Sequence, residues 1–194
     1  NQPEIVRNLI NGKWLPADGG KTFPSYNPAT GEVVGHAAYA TVKDVEKAVE
    51  AAHGAFPAWR LTPAPKRGEI LFKAAEILLR RKEELARLLT QEMGKVLPEA
   101  RGDIQEAIDM AYYMAGEGRR SFGHTVPSEL PNKAMMTVRS PLGVVACVTP
   151  WNFPVAIPSW KVFPALIMGN TVVLKPASDT PVVAARFVEI LVEA

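Results

Sequence analysis

Two short polar segments, each directly after an apolar run, hold the side chains best suited to chemistry. Residues 149–152 have the sequence Thr-Pro-Trp-Asn and offer an amide and an indole. Residues 175–179 have the sequence Lys-Pro-Ala-Ser-Asp and offer an ammonium and a hydroxyl. Thr180 and Pro181 then predict the start of a helix, whose free N–H groups suit phosphates or hydroxyls. Together these groups describe a nucleotide site with a side-chain amide beside it.

The elements around these segments predict that the two meet. Residues 142–148 and 171–174 are apolar runs typical of strands buried on both faces, and a helix-like stretch up to Met168 separates them. A strand–helix–strand–helix order predicts a parallel sheet with right-handed crossovers. Loops after parallel strands lie at one edge, where ligands bind. We therefore expect Asn152 and Lys175 to face one crevice. A structure with the two residues on opposite rims of the sheet would refute this expectation.

Each of these residues also has an ordinary structural explanation. A lysine at a strand end is usually only solvated, and an asparagine in a turn favours the local backbone. A tryptophan beside a proline most often packs. The G-x-G-x-x-G fingerprint of dinucleotide sites follows neither strand. Taken singly the residues favour these structural explanations, and only their combination favours a nucleotide site.

The earlier part of the chain predicts a β-rich start and then a helical layer. The expected elements are a hairpin over residues 8–15 turning at Asn11-Gly12, a strand over residues 32–40, a helix capped by Thr41 and Asp44, one helical pattern from Thr62-Pro63 to Met93 that stops at Gly94, a helix over residues 97–121, and an extended hairpin or arm over residues 123–140.

The composition limits which classes of binding partner and which cellular compartment are expected. The 194 residues are 47% hydrophobic and 22% charged, which is typical of a globular domain. The net charge of +2, with both signs interleaved, argues against nucleic acid as a partner, and no apolar run approaches the ~20 residues that span a bilayer. The first ten residues lack a signal pattern. The single cysteine, Cys147, predicts a reducing, cytoplasmic location, and the three histidines lack metal-ligand spacing.

The motifs in combination closely resemble the aldehyde dehydrogenase superfamily, over nearly the whole chain. The segments that carry the resemblance are residues 27–31 (Asn-Pro-Ala-Thr-Gly), 92–95 (Glu-Met-Gly-Lys), 141–144 (Pro-Leu-Gly-Val), 149–154 (Thr-Pro-Trp-Asn-Phe-Pro), 160–161 (Trp-Lys), 164–166 (Pro-Ala-Leu), 169–171 (Gly-Asn-Thr) and 174–178 (Leu-Lys-Pro-Ala-Ser). Because the chain ends inside what looks like a helix, we expect the amino-terminal part of a longer dehydrogenase.

The resemblance implies a fold and a reaction. The fold would be an α/β, atypical Rossmann-like parallel sheet with flanking helices, plus a β-hairpin arm. Residues 1–122 and 141–194 would be an incomplete NAD(P)-binding domain, and residues 123–140 a bridging arm that joins a homo-oligomer. The parent enzyme would oxidise a small-molecule aldehyde to a carboxylic acid through a thiohemiacetal. Its nucleophilic cysteine and general-base glutamate would lie beyond residue 194, so the chain alone is expected to be inactive. A standalone nucleotide-binding or assembly module is the alternative.

The resemblance also implies roles for single residues. Asn152 would donate its amide to the oxyanion, and Phe153, Ile157 and Trp160 would line the substrate tunnel. Ser178 stands where many NAD-preferring members have glutamate, so NADP should be tolerated as well as NAD. Cys147, within an apolar strand, is assigned to the core. The residues expected to bind the cofactor are Thr149, Pro150, Trp151, Asn152, Lys175, Pro176, Ala177 and Ser178.

Overall fold

The structure is a computed structural model that describes residues 4–194, and within that span it combines six helices with nine short strands. The helices are α1 (Val42–Leu61), α2 (Ala64–Arg80), α3 (Lys82–Met93), α4 (Leu97–Glu117), α5 (Ala156–Ile167) and α6 (Pro181–Glu193). The strands are β1 (Glu4–Val6), β2 (Asn8–Ile10), β3 (Lys13–Leu15), β4 (Thr22–Tyr26), β5 (Val33–Ala38), β6 (Thr125–Pro127), β7 (Ala134–Met136), β8 (Val144–Val148) and β9 (Thr171–Lys175).

The amino-terminal strands form a hairpin and a small mixed sheet. Strands β2 and β3 pair antiparallel, and the turn residues Asn11 and Gly12 both have positive φ, 50° and 72°. Asn and Gly tolerate that left-handed conformation, so the predicted hairpin is confirmed. In the mixed sheet β5 lies between β1, to which it is parallel, and β4, to which it is antiparallel.

The helical layer packs tightly around α2 and α4. The two helices lie close together at Gly68, where an added Cβ would lie 2.6 Å from the carbonyl oxygen of Ala115. The shared core extends to α5 and α6, where the rings of Phe163 and Phe187 lie 5.6 Å apart edge to face. The largest fully buried side chains of this core are Phe163, Phe187, Leu71, Leu78, Leu85, Leu89, Ile104, Ile108, Ile167, Ile190, Val155 and Val183.

The helical pattern expected from Thr62-Pro63 to Met93 is two helices, not one. Arg81 has φ −96° and ψ 9°, which ends α2 and begins α3, and its guanidinium pairs with Glu84 at 2.7 Å. Leucines continue on both sides of this break, so the apolar stripe did not reveal it. The predicted stop is confirmed, because Gly94 closes α3 with φ 80°.

Strands β8 and β9 form the parallel pair that the sequence predicted. Their register runs from Val144 beside Thr171 to Val148 beside Lys175, and α5 is the crossover between them. The chain is therefore a mixed α/β protein with a parallel sheet, as expected.

The expectation that the first of these strands is buried on both faces is wrong. Cys147 is 2% exposed and, with Val145, joins the main core. Val148, on the alternate face, is 66% exposed. Within residues 4–194 the sheet has two strands, and the outward face of β8 is only partly covered.

Residues 123–140 contain a hairpin in which β6 and β7 pair antiparallel with both strands exposed. Apolar side chains on it face outward, including Met136 at 69% exposure. No helix within residues 4–194 is long and apolar enough to cross a membrane.

Candidate functional site

The two polar segments begin side by side at the carboxyl edge of the parallel strands. Val148 and Lys175 are the last paired residues, and the N–H of Thr149 donates to the carbonyl of Lys175 at 3.2 Å. The segment that contains Asn152 therefore leaves the sheet next to the segment that begins at Lys175. The parallel order of the two strands produces this arrangement.

The first segment, which we call loop A, comprises residues 149–155 between β8 and α5. Thr149 is buried, and its hydroxyl has no hydrogen-bond partner within residues 4–194. Pro150, Trp151 and Asn152 are exposed. Within the same described residues no hydrogen bond is formed by the side-chain amide of Asn152, although its backbone carbonyl accepts one. The amide is therefore available to an incoming group.

Lys95 holds loop A from the turn between α3 and α4. Its Nζ donates to the carbonyl of Asn152 at 2.7 Å, pairs with Asp103 at 3.1 Å, and lies 3.9 Å from the centroid of the Phe153 ring. The lysine side chain is only 7% exposed. Residues 92–95 contributed to the resemblance, but sequence reasoning assigned Lys95 no role.

Asp103, on α4, holds the other end of loop A. Its side chain is fully buried, and its Oδ1 accepts the N–H of Ala156, the first residue of α5, at 2.8 Å. Burial raises the pKa of Asp103, and this effect is opposed by the N–H of Ala156 and by the ammonium of Lys95. Sequence reasoning did not identify this residue either, since 53 positions separate it from its partner in α5.

The three residues expected to line a tunnel lie on one side of the start of α5. The rings of Phe153 and Trp160 have centroids 6.2 Å apart, and Ile157 is spaced by helical turns between them. Phe153 and Ile157 are half-buried, and Trp160 is 38% exposed. They present an apolar surface next to Asn152.

The second segment, which we call loop B, comprises residues 176–180 between β9 and α6. Lys175 is exposed, and its Nζ donates to the carbonyl of Pro176 at 2.8 Å. Ala177 is buried, whereas Ser178 is exposed. Lys175 and Ser178 thus face solvent at the sheet edge, whereas Thr180 is fully buried.

The amino end of α6 is not free for a phosphate, which corrects the expectation from sequence. The carboxylate of Glu92 accepts the N–H groups of Val182 and Val183, each at 2.8 Å, and the hydroxyl of Ser25 at 2.8 Å. Glu92 is 3% exposed, and this burial raises its pKa although the three donors act in the opposite direction. An internal anion therefore already occupies the helix terminus.

Cys147 lies in the core, as expected. It is 2% exposed, and desolvation raises the pKa of its thiol, an effect that the charge of Lys161 opposes in part. A buried neutral thiol is a poor nucleophile. Among the described residues there is also no group of three or more His, Cys, Asp or Glu side chains placed to hold a metal ion.

The chain is similar to known proteins over most of its length. Residues 14–194 match the model of the aldehyde dehydrogenase family. The alpha-ketoglutaric semialdehyde dehydrogenase of Bacillus subtilis is 47% identical over 188 residues, which are 96% of this chain and 38% of that protein.

The chain is similar to solved structures as well. An NADP-dependent enzyme from E. coli superposes with a TM-score of 0.95 at 39% identity, covering 98% of this chain and 40% of that one. A variant of betaine aldehyde dehydrogenase from Staphylococcus aureus, in complex with NAD+, gives a TM-score of 0.94 at 34% identity over 97% of this chain and 39% of that one. The chain thus spans about two fifths of the length of the proteins it matches.

Proposed function

The chain belongs to the aldehyde dehydrogenase family, and on that premise we propose that it is the amino-terminal part of an NAD(P)-dependent enzyme that oxidises an aldehyde to a carboxylic acid. The observation that carries the proposal is that loops A and B begin side by side at one sheet edge. The side-chain amide of Asn152, which forms no hydrogen bond within residues 4–194, and the exposed ammonium of Lys175 both lie in the segments that follow this pair of strands.

Asn152 would act as an oxyanion donor. When a thiolate adds to the aldehyde, negative charge grows on the carbonyl oxygen, and a fixed N–H stabilises it by ~2.7–4 kcal/mol. The adduct is a thiohemiacetal, whose oxidation and hydrolysis give the acid. The thiolate would come from another part of the whole protein, because Cys147 is buried and its pKa is raised.

A nicotinamide dinucleotide would supply the hydride acceptor when bound, and the residues at the sheet edge fit it. The buried hydroxyl of Thr149 lacks a partner within residues 4–194, and Lys175 and Ser178 are exposed in the neighbouring segment. All three side chains are suited to ribose hydroxyls. Because Ser178 carries no negative charge, a 2′-phosphate would not be repelled there. We propose that both NAD and NADP bind. The remaining residues proposed to line this cleft are Pro150, Trp151, Pro176 and Ala177.

The substrate that we propose is a semialdehyde, an aldehyde with a carboxylate at its other end. The Bacillus subtilis relative is named for such a substrate. The apolar surface of Phe153, Ile157 and Trp160 would contact the methylene groups between the two functional groups. Residues 123–140 would form the bridging arm of a cytoplasmic homo-oligomer, since their hairpin exposes apolar side chains and unpaired strand edges.

The test uses the complete protein of which this chain would be the amino-terminal part. Formation of reduced nicotinamide is followed with semialdehydes of three to five carbons and with matched aldehydes that lack the carboxylate. Asn152→Ala should lower kcat by about 10²–10³-fold, a larger effect than any rise in cofactor Kd from the lost contact to the dinucleotide. Gln91→Ala removes an exposed amide elsewhere and should change neither quantity. Cofactor binding without any turnover would instead support a nucleotide-binding module.

A further inference from the structure

We propose that Lys95 and Asp103 are positioning residues, which hold loop A so that the amide of Asn152 points at the reacting carbonyl. The inference rests on the function proposed above and adds two residues to it. Neither would touch the substrate, since the side chain of Lys95 is 7% exposed and that of Asp103 is fully buried. Both would act through the backbone of loop A.

The pair restrains loop A on both sides of Phe153. Lys95 binds the carbonyl of Asn152, and Asp103 binds the N–H of Ala156. The peptide unit that carries the Asn152 side chain is therefore fixed, while its amide stays free. An oxyanion donor must lie within about 2.7–3.1 Å of the developing charge. Because a misplacement of about 1 Å can cost a hundredfold in rate, such a restraint matters for catalysis.

Burial of this ion pair is not explained by stability alone. Removing two charges from water cancels most or all of their mutual attraction, so a well-packed apolar pair of similar size would stabilise the helices as well. An apolar pair could not, however, donate to the carbonyl of Asn152 or accept from the N–H of Ala156. The polar contacts with loop A are what the charged pair supplies.

The first experiment measures kinetics of the complete protein with Lys95→Met, which keeps the length of the side chain under the Phe153 ring but removes the donors. We expect kcat to fall by about 10–100-fold, with cofactor KM changed by less than about threefold. Lys95→Arg keeps the charge and should recover part of the loss. Asp103→Asn keeps an acceptor for Ala156 and should cost less than Lys95→Met.

The second experiment asks whether Lys95 acts through Asn152. In an Asn152→Ala background, Lys95→Met should lower kcat by no more than about threefold further, because there is no longer an amide to position. A purely structural lysine would cost the same factor in both backgrounds, and that additive result would overturn the proposal.

A matched control comes from α3, the helix that precedes the turn holding Lys95. Lys82 of α3 donates to Gln105 of α4 at 2.6 Å, and among residues 4–194 it forms no hydrogen bond or ion pair with loop A. Lys82→Met therefore also removes a lysine bond to a side chain of α4, and should leave kcat unchanged. An equal loss of kcat in Lys82→Met and Lys95→Met would also overturn the proposal.

Hydrogen exchange separates this inference from the proposed function. In Lys95→Met, amides of residues 152–157 should exchange at least about tenfold faster, while those of α2 should not change. If the wild-type protein oxidised no aldehyde but exchange rose in this way, the proposed function would fail and the restraint of loop A would stand. Unchanged exchange would overturn the positioning role whatever the activity.

Discussion

The carboxylate of Glu92 and the backbone N–H of Val183 are joined at 2.8 Å, across 91 positions of the chain. Through this bond the end of α3 closes the amino end of α6, just after loop B. Three residues further on, Lys95 binds loop A. The segment Glu92–Lys95, which we call the corner, therefore contacts both loop A and the helix start that follows loop B.

Replacing Glu92 with glutamine should destabilise the fold. A carboxylate accepts from Ser25, Val182 and Val183 with two oxygens, whereas a glutamine has one oxygen and an NH2 group that opposes an N–H donor. We expect a loss of about 1–3 kcal/mol in the free energy of unfolding, measured with urea. Ser25→Ala, which removes one donor of the three, should cost less. Equal stability of Glu92→Gln and wild type would contradict the role given to the carboxylate.

Asp44 should make stability depend on pH in acid. It accepts the N–H of Thr41 at 2.8 Å and that of Asp18 at 3.0 Å, and the bond from Thr41 is the main reason that its pKa lies below the ordinary 3.8. Because the folded pKa is depressed, the stabilisation is complete above the unfolded pKa and is lost as pH falls through the folded value.

The comparison that tests this is wild type against Asp44→Asn, by urea unfolding from pH 7 to pH 3. The wild type should be more stable by a constant amount near neutrality, and the difference should shrink below the unfolded pKa of about 4. A difference that widens on acidification would show that the sign is wrong.

Cys147 should react slowly with thiol reagents in the native protein. Its burial and raised pKa leave little accessible thiolate, so labelling must wait for local opening. We expect a rate on the order of a hundredfold or more below that in denaturant. The fully denatured chain is the control, since it contains the same single thiol. Rapid labelling of the native chain would return Cys147 to consideration as a nucleophile.

Ser178→Glu should discriminate between the two cofactors in the complete protein. A carboxylate at this exposed position would repel a 2′-phosphate, so the Kd of NADP should rise by about tenfold or more, while that of NAD should not rise. Ser178→Ala, which adds no charge, should change the NADP Kd by less than about threefold. Calorimetric titration measures both, and equal weakening of NAD and NADP would place Ser178 away from the ribose.

Two helical glycines should respond to alanine in opposite directions. At Gly68 a Cβ would lie 2.6 Å from the carbonyl of Ala115, so Gly68→Ala should cost about 1–3 kcal/mol by forcing α2 and α4 apart. At Gly102 a Cβ meets nothing within 4 Å, so Gly102→Ala should stabilise α4 by about 0.5–1 kcal/mol. Thermal unfolding of both variants tests the pair. A stabilised Gly68→Ala would contradict the close approach.

Elements with a local cause were predictable from the sequence. The turn at Asn11 and Gly12 depends on residues that tolerate positive φ, and the start of α1 on the reach of Asp44 back to Thr41. The parallel pairing of β8 with β9 follows from the helix between them. These signals involve residues that are a few positions apart or elements joined by one crossover, and such residues and elements are usually also neighbours in the fold.

The supports of the site were not predictable in this way. Glu92 meets α6 across 90 positions and Lys95 meets Asn152 across 57, and no periodicity encodes such pairings. The break between α2 and α3 at Arg81 is not predicted by the apolar pattern, because leucines continue on both sides of it. The exposure of Val148 could not be inferred from an apolar run, since composition does not say how many strands or layers surround it.

The corner limits which segments can be exchanged between related proteins to alter their specificity. Glu92 binds the start of α6 directly after loop B, and Lys95, three residues later, binds loop A. A loop B exchanged alone would therefore be followed by a helix start matched to a different residue, and a shift of Glu92 would also move Lys95 and disturb loop A. A chimaera that moves residues 92–95 and 103 together with both loops keeps donors matched to acceptors. The residues that must be exchanged together are thus discontinuous in sequence, because the corner contacts both loop A and the start of α6 after loop B.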